Sequence, residues 1–144
     1  MTLHRLPNDL NRFVEAQAVS YADALAEIRA GQKRSHWMWY VFPQIAGLGH
    51  SAMSERYAIR NEDEARAYLA HPILGPRLIE CAEAVLSVRN KSAREIMGTP
   101  DDLKLRSSAT LFAHVAPPDS IFQRIIDTYY SSEPDPKTLR LLER

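Results

Sequence analysis

The sequence has one cysteine, no excess of either charge, no long apolar run, and no alternation of apolar residues long enough to make a convincing strand. Each shortage excludes something. Cys81 alone cannot close an internal disulfide or complete a C-x-x-C redox pair, which points to a reducing compartment and a cytoplasmic protein. Eighteen Lys and Arg against eighteen Asp and Glu leave no global field to draw the chain to nucleic acid or to an anionic membrane surface. No run reaches the roughly 18 apolar residues that a bilayer crossing needs. The start, MTLHRLPNDLNRF, lacks the uninterrupted apolar core of a signal peptide, so neither insertion nor export is expected. Repeats, low-complexity tracts and dividing linkers are also missing. With 144 residues, 45% of them hydrophobic and 25% charged, a single domain over residues 1–144 around one core is expected.

What is present is a succession of helix starts and stops. Asp9 is placed to cap a first helix carrying Leu10, Phe13, Val14 and Gln17, and Ser20 a second carrying Tyr21, Ala24, Leu25 and Ile28, closed by Gly31. From residue 33 to 49 the helical period fails, because Trp37, Trp39 and Val41 alternate with Met38, Tyr40 and Phe42 and leave both sides apolar. Pro43 ends any helix there, and Gly47 and Gly49 permit a tight turn, so a short helix or extended segment and then a loop are expected. Ser51 caps a short helix through Tyr57, and Asn61 with Glu64 resembles a capping box for a helix ending near Ala70. Pro72 starts what reads as the longest and central helix, with Leu74, Leu78, Ala82 and Val85 on one face, widened by Ile79 and Leu86. Ser92 caps a brief helix through Met97 that Gly98 ends, and Pro100 with Asp101 begins another running to about His114. After Pro117 and Pro118, Asp119 or Ser120 caps a helix with Ile121, Phe122, Ile125, Ile126, Tyr129 and Tyr130. Asp135 and Pro136 start a last one holding Leu139 and Leu142. The expected fold is all-α, a compact array of about seven to nine short helices around one long central helix.

The richest chemistry lies in KRSHWMWYVFPQ, residues 33–44. Lys33, Arg34 and His36 can grip an anion while Trp37 or Trp39 stacks on a ring, and Gln44 can read a polar edge. The structural alternative is that the aromatics fill the core while Lys33 and Arg34 complement the end of the preceding helix. A second group is Asp101, Asp102, Lys104, Ser107, Ser108 and Thr110, where Lys104 lies three and four residues before the two serines on one helix face. A lysine beside a serine can make a nucleophile and a carboxylate an acid or base. The same residues also serve as caps and as small packing residues, and either aspartate is an expected cap. GLGHS, residues 47–51, lacks the preceding strand and following lysine of a phosphate loop and reads as a turn, although amides at the start of the next helix can receive an anion. Arg77, near the first turn of the helix after Pro72, carries the same argument more weakly. His4, His36, His50, His71 and His114 never fall at i and i+4, so no metal site is expected, and Cys81 reads as core. His71, before Pro72, reads as a capping or packing residue.

KRSHWMWYVFPQ followed by GLG, then AYLAHPILGPRL, then DDLKLRSSATLF, resembles the bacterial domain-of-unknown-function family 1810 across nearly the whole chain. The resemblance implies a compact, mainly helical domain and no settled activity. Members often carry the label calpastatin, which implies inhibition of a calcium-dependent protease by an extended, largely disordered chain. Two tryptophans, six tyrosines and capped amphipathic helices describe a folded domain instead.

Two functions of different class follow. The first is a pocket protein holding a small anionic or nucleotide-like ligand between residues 33–44 and the helix beginning near Asp102, through Lys33, Arg34, His36, Trp37, Trp39, Gln44, Asp102, Lys104 and Ser107, without metal or cofactor. An Asp base, a cationic clamp and an aromatic stack suit hydrolysis or transfer at a nucleotide or ribose derivative, but residue types alone name no reaction and assign no catalytic residue. The second is a non-enzymatic interaction or homodimerisation module, using an apolar surface from the aromatic stretch or the Tyr129 and Tyr130 end. Nucleic-acid binding stands third, because the aromatics do not interleave with a sustained basic run.

Overall fold

The structure, a computed structural model, describes residues 9–143. Residues 1–8, with His4 and most of the segment inspected for a signal peptide, and Arg144 lie outside them. Among the described residues nine helices follow in order: α1 (Asn11–Arg29), α2 (Met38–Val41), α3 (Ala52–Arg56), α4 (Glu62–Ala70), α5 (Leu74–Ser87), α6 (Ala93–Met97), α7 (Asp101–Val115), α8 (Ile121–Tyr129) and α9 (Pro136–Leu142). The described residues hold no strand, and a lone parallel bridge pairs Ile45 with Ile59. The fold is all-α, and no described helix is long and apolar enough to cross a membrane.

The local signals account for most boundaries. Ser51, Asn61, Ser92, Ser120 and Asp135 each accept a hydrogen bond from the backbone N–H three residues on, which satisfies one of the donors a helix start leaves unpaired. Ser92 and Glu95 form a full capping box. Glu64 does not complete the one expected at Asn61, because its carboxylate turns to the Arg60 N–H at 2.9 Å and to Arg12 at 3.1 Å. His71 Nδ1 accepts from Ile73 N and Leu74 N, so the imidazole caps the start of α5. No side-chain cap opens α7, because Pro100 holds the cap position and its ring offers no acceptor, while the Asp101 carboxylate pairs with Lys33.

Three expectations change. The two helices expected before Gly31 are one, the 19-residue α1, the longest described. Their stripes share a phase: Gln17 to Tyr21 is a step of four, so Leu10, Phe13, Gln17, Ala24 and Ile28 lie on one buried face. Ser20 caps nothing, and its Oγ accepts the Tyr40 hydroxyl at 2.9 Å. Gly31 ends α1 as expected, at φ +77°, with its N–H on Ile28 O and the Gln32 N–H on Glu27 O. Second, α5 is not the longest helix, although it is central, packing on α1, α4 and α8. It shares that place with α7, which packs on α4, α6, α8 and α9. Third, Ile79 does not widen the α5 face; it is 40% exposed because it stands about 140° round from Leu74, and Cys81 takes the inner position.

Candidate functional site

The aromatic segment is held by an acid that the sequence reading passed over. Glu27 sits in the last turn of α1, where its carboxylate opposes the helix dipole and therefore needs other partners. Because Gly31 reverses the chain, the segment returns across that carboxylate. Glu27 Oε1 accepts the N–H of Arg34 at 2.8 Å, the N–H of Ser35 at 3.0 Å and the Trp37 indole N–H at 2.9 Å, while Oε2 accepts the Ser35 hydroxyl at 2.6 Å. Burial works to raise the Glu27 pKa, and these donors override it and bring it down to about 2. Trp37 is thereby locked inward, 1% exposed.

Lys33 crosses from this clasp to α7. Its Nζ donates to Ser35 O at 2.6 Å, pairs with Asp101 Oδ2 at 2.9 Å and lies 4.9 Å from the centre of the Trp37 ring, in a side chain only 8% exposed. The other oxygen of Asp101 stands 3.6 Å from Lys104 Nζ, which lies 5.6 Å from the centre of the half-buried Trp39 ring. Two ammonium groups thus share one carboxylate beside two indole faces. Lys33, Trp37, Trp39 and Lys104 meet here, and Asp101 rather than Asp102 joins them. Asp102 is the next residue of the same helix turn; its carbonyl accepts the Tyr130 hydroxyl, and its Oδ1 is buried without a hydrogen-bond partner among the described residues. Burial, and then the Asp102 charge, push the Tyr130 phenol pKa up.

The other expected residues have different neighbours. Arg34 is exposed, with its guanidinium on Gln32 Oε1 at 3.4 Å. His36 is exposed too, and its carbonyl accepts the Tyr40 hydroxyl. Ser107 is buried and donates to Leu103 O and Asp135 Oδ2, both at 3.2 Å. With Thr110, which accepts the Asp135 N–H, and Arg106, which donates to the carbonyls of Glu133 and Pro134, Ser107 seats the chain before α9. Gln44 stands at the far end of the aromatic segment, its carbonyl accepting the Ile59 N–H, and lines a cavity of about 180 Å³ with Gly49, His50 and Ser54. Three further cavities surround the same loop: one of about 570 Å³ against Arg60, Asn61 and Leu142, one of about 640 Å³ against Arg12 and Arg56, and one of about 450 Å³ against α9. The Tyr129 and Tyr130 hydroxyls are spent on Val85 O and Asp102 O, and both rings pack on the core. Among the described residues no three His, Cys, Asp or Glu side chains stand where they could hold a metal ion.

Comparison with known proteins places these features in a wider set. The family described as protein of unknown function, DUF1810, matches residues 7–142. A crystal structure described as the conserved hypothetical protein Rv1873 from Mycobacterium tuberculosis is 50% identical, covers 96% of this chain and 99% of its own, and superposes with a TM-score of 0.94. No curated protein matches the chain.

Proposed function

The chain belongs to the DUF1810 family, whose function is unknown, and on that premise we propose that it binds a small anionic, nucleotide-like ligand between residues 33–44 and the start of α7. The observation that carries the reading is the pairing of Lys33 and Lys104 on the single carboxylate of Asp101, beside Trp37 and Trp39. Lys33 and Lys104 bring two ammonium groups to a half-buried surface, where screening is weaker than in open water. Lys33 is the inner cation, already tied to Asp101 and Ser35. Lys104, held at the longer 3.6 Å, has donors to give to a phosphate or carboxylate. The half-buried Trp39 ring gives a heterocycle a face. Arg34 and His36 lie exposed on the same segment, while Gln44 and Ser107 take no part because their neighbours lie elsewhere. The unpaired Cys81, buried in α5, supports a cytoplasmic setting.

The test is a thermal-shift screen against nucleotides, sugar phosphates and ADP-ribose-like compounds, since a ligand bound only by the native state, at about 100 times its Kd, adds about 2.7 kcal/mol of apparent stability. Lys104→Ala and Trp39→Ala should each abolish the shift while the fold persists. Undiminished shifts in both variants, or no shift with any compound, reject the site.

A further inference from the structure

The GLG turn, which the ligand reading leaves unused, borders a second group of cations. The cavity of about 450 Å³ is walled by Gly47 and Leu48 on one side and by Lys137, Arg140, Leu141 and Glu143 of the α9 region on the other. Lys137 and Arg140 lie three residues apart on α9, both exposed, and neither side chain has a hydrogen bond or ion pair with any described residue. The backbone N–H groups of Gly47 and Leu48 likewise have no acceptor among the described residues. Gly47 takes φ +104°, and a Cβ there would stand 3.2 Å from Leu141 Cδ2, so the loop brings bare backbone against α9 with no side chain between. Two cationic side chains and the Gly47 and Leu48 backbone, none of them with a partner among the described residues, and one carboxylate, that of Glu143, therefore belong to residues that border one concave space.

We infer that this cleft is an oxyanion site, distinct from the Lys33 and Lys104 cluster, which takes a phosphate dianion. The fork of Arg140 and the point charge of Lys137 supply the attraction, and the loop amides supply fixed donors. The phosphate can come as the free ion or as the phosphoryl group of a small molecule, and the chemistry of recognition is the same. This inference does not depend on the ligand proposed above.

The experiment is an amide NMR titration of the chain with inorganic phosphate, and in parallel with glucose 6-phosphate, at constant ionic strength held with chloride. Saturable shifts centred on Gly47, Leu48 and α9 are expected, and an affinity for glucose 6-phosphate above that for phosphate would assign a phosphorylated small molecule. Equal affinities would assign the free ion. Lys137→Gln with Arg140→Gln should weaken binding by about tenfold or more, as the loss of even one charge-assisted hydrogen bond would. Lys104→Ala should leave the shifts at Gly47, Leu48 and α9 unchanged. Shifts that spread over the surface without saturating, or equal affinity in the double variant, overturn the inference. Both substituted side chains are exposed, so the variants should keep the native amide spectrum elsewhere.

Discussion

Glu27 shows how one side chain can shape a segment it does not belong to. Its four donors come from three residues of the returning chain, Arg34, Ser35 and Trp37, and the indole N–H among them belongs to a ring that is almost fully enclosed. Without the carboxylate, that N–H would be buried without a partner, which costs about 1–3 kcal/mol. Glu27→Gln leaves one oxygen to accept the indole and backbone N–H groups but removes the charge and puts an amide nitrogen where Oε2 accepts the Ser35 hydroxyl, so it should lose about 1–3 kcal/mol in urea denaturation at pH 7. The pH dependence has a definite sign. Because the folded pKa lies below the ordinary 4.5, at about 2, the contribution is complete above 4.5 and drains away as pH falls towards 2. The gap between wild type and Glu27→Gln should thus close over that acid range. A gap of constant size from pH 7 to pH 2.5 would show that the ionised carboxylate is not what holds the segment. The pairing of Lys33 with Asp101 belongs to the same scale and could not be read from spacing, since the partners lie far apart in the chain and Asp101 looked like a helix cap. An acid in the last turn of a helix was the signal available for Glu27, because the dipole there favours cations.

The helices, by contrast, were largely legible, and the reason is that their limits are set by contacts three or four residues long. Ser92 reaches Glu95, Ser120 reaches Gln123 and Asp135 reaches Thr138, so each start is written in the residues beside it. Where a residue has a distant partner the local signal misleads: Ser20 has the chemistry of a cap but lies inside α1, facing Tyr40. This separates two outcomes for Ser20→Pro. A proline there removes an internal hydrogen bond of α1 and collides with the preceding turn, so a loss of about 3 kcal/mol or more is expected. A boundary between two helices would accept the same change at little cost. Denaturant unfolding, with circular dichroism to follow helix content, distinguishes them, and a loss under about 1 kcal/mol would argue that α1 behaves as two helices.

At the scale of the molecule, the buried residues from Leu10 in front of α1 to Ile126 in α8 join into one cluster, in which Phe13 meets Tyr57 and Tyr68, Tyr68 meets Phe112, and Phe112 meets Phe122. These ring contacts link α1, the residue after α3, α4, α7 and α8, elements drawn from both halves of the chain. α9 lies at the end of this series; Leu141 and Leu142 pack against the core, and the chain before it is held by polar contacts, with Arg106, Ser107 and Thr110 of α7 on the carbonyls of Glu133 and Pro134 and on both the backbone and side chain of Asp135. A cluster that spans the chain cannot lose one half and keep the other without exposing large rings, so cooperative unfolding of the whole chain as one domain is expected. Calorimetry should record one transition whose van't Hoff and calorimetric enthalpies agree, at about 0.7 kcal/mol per residue near 60 °C. Two resolved transitions would divide the chain into units. A calorimetric enthalpy well above the van't Hoff value would do the same, because separate units each melt with a smaller cooperative enthalpy while their heats add.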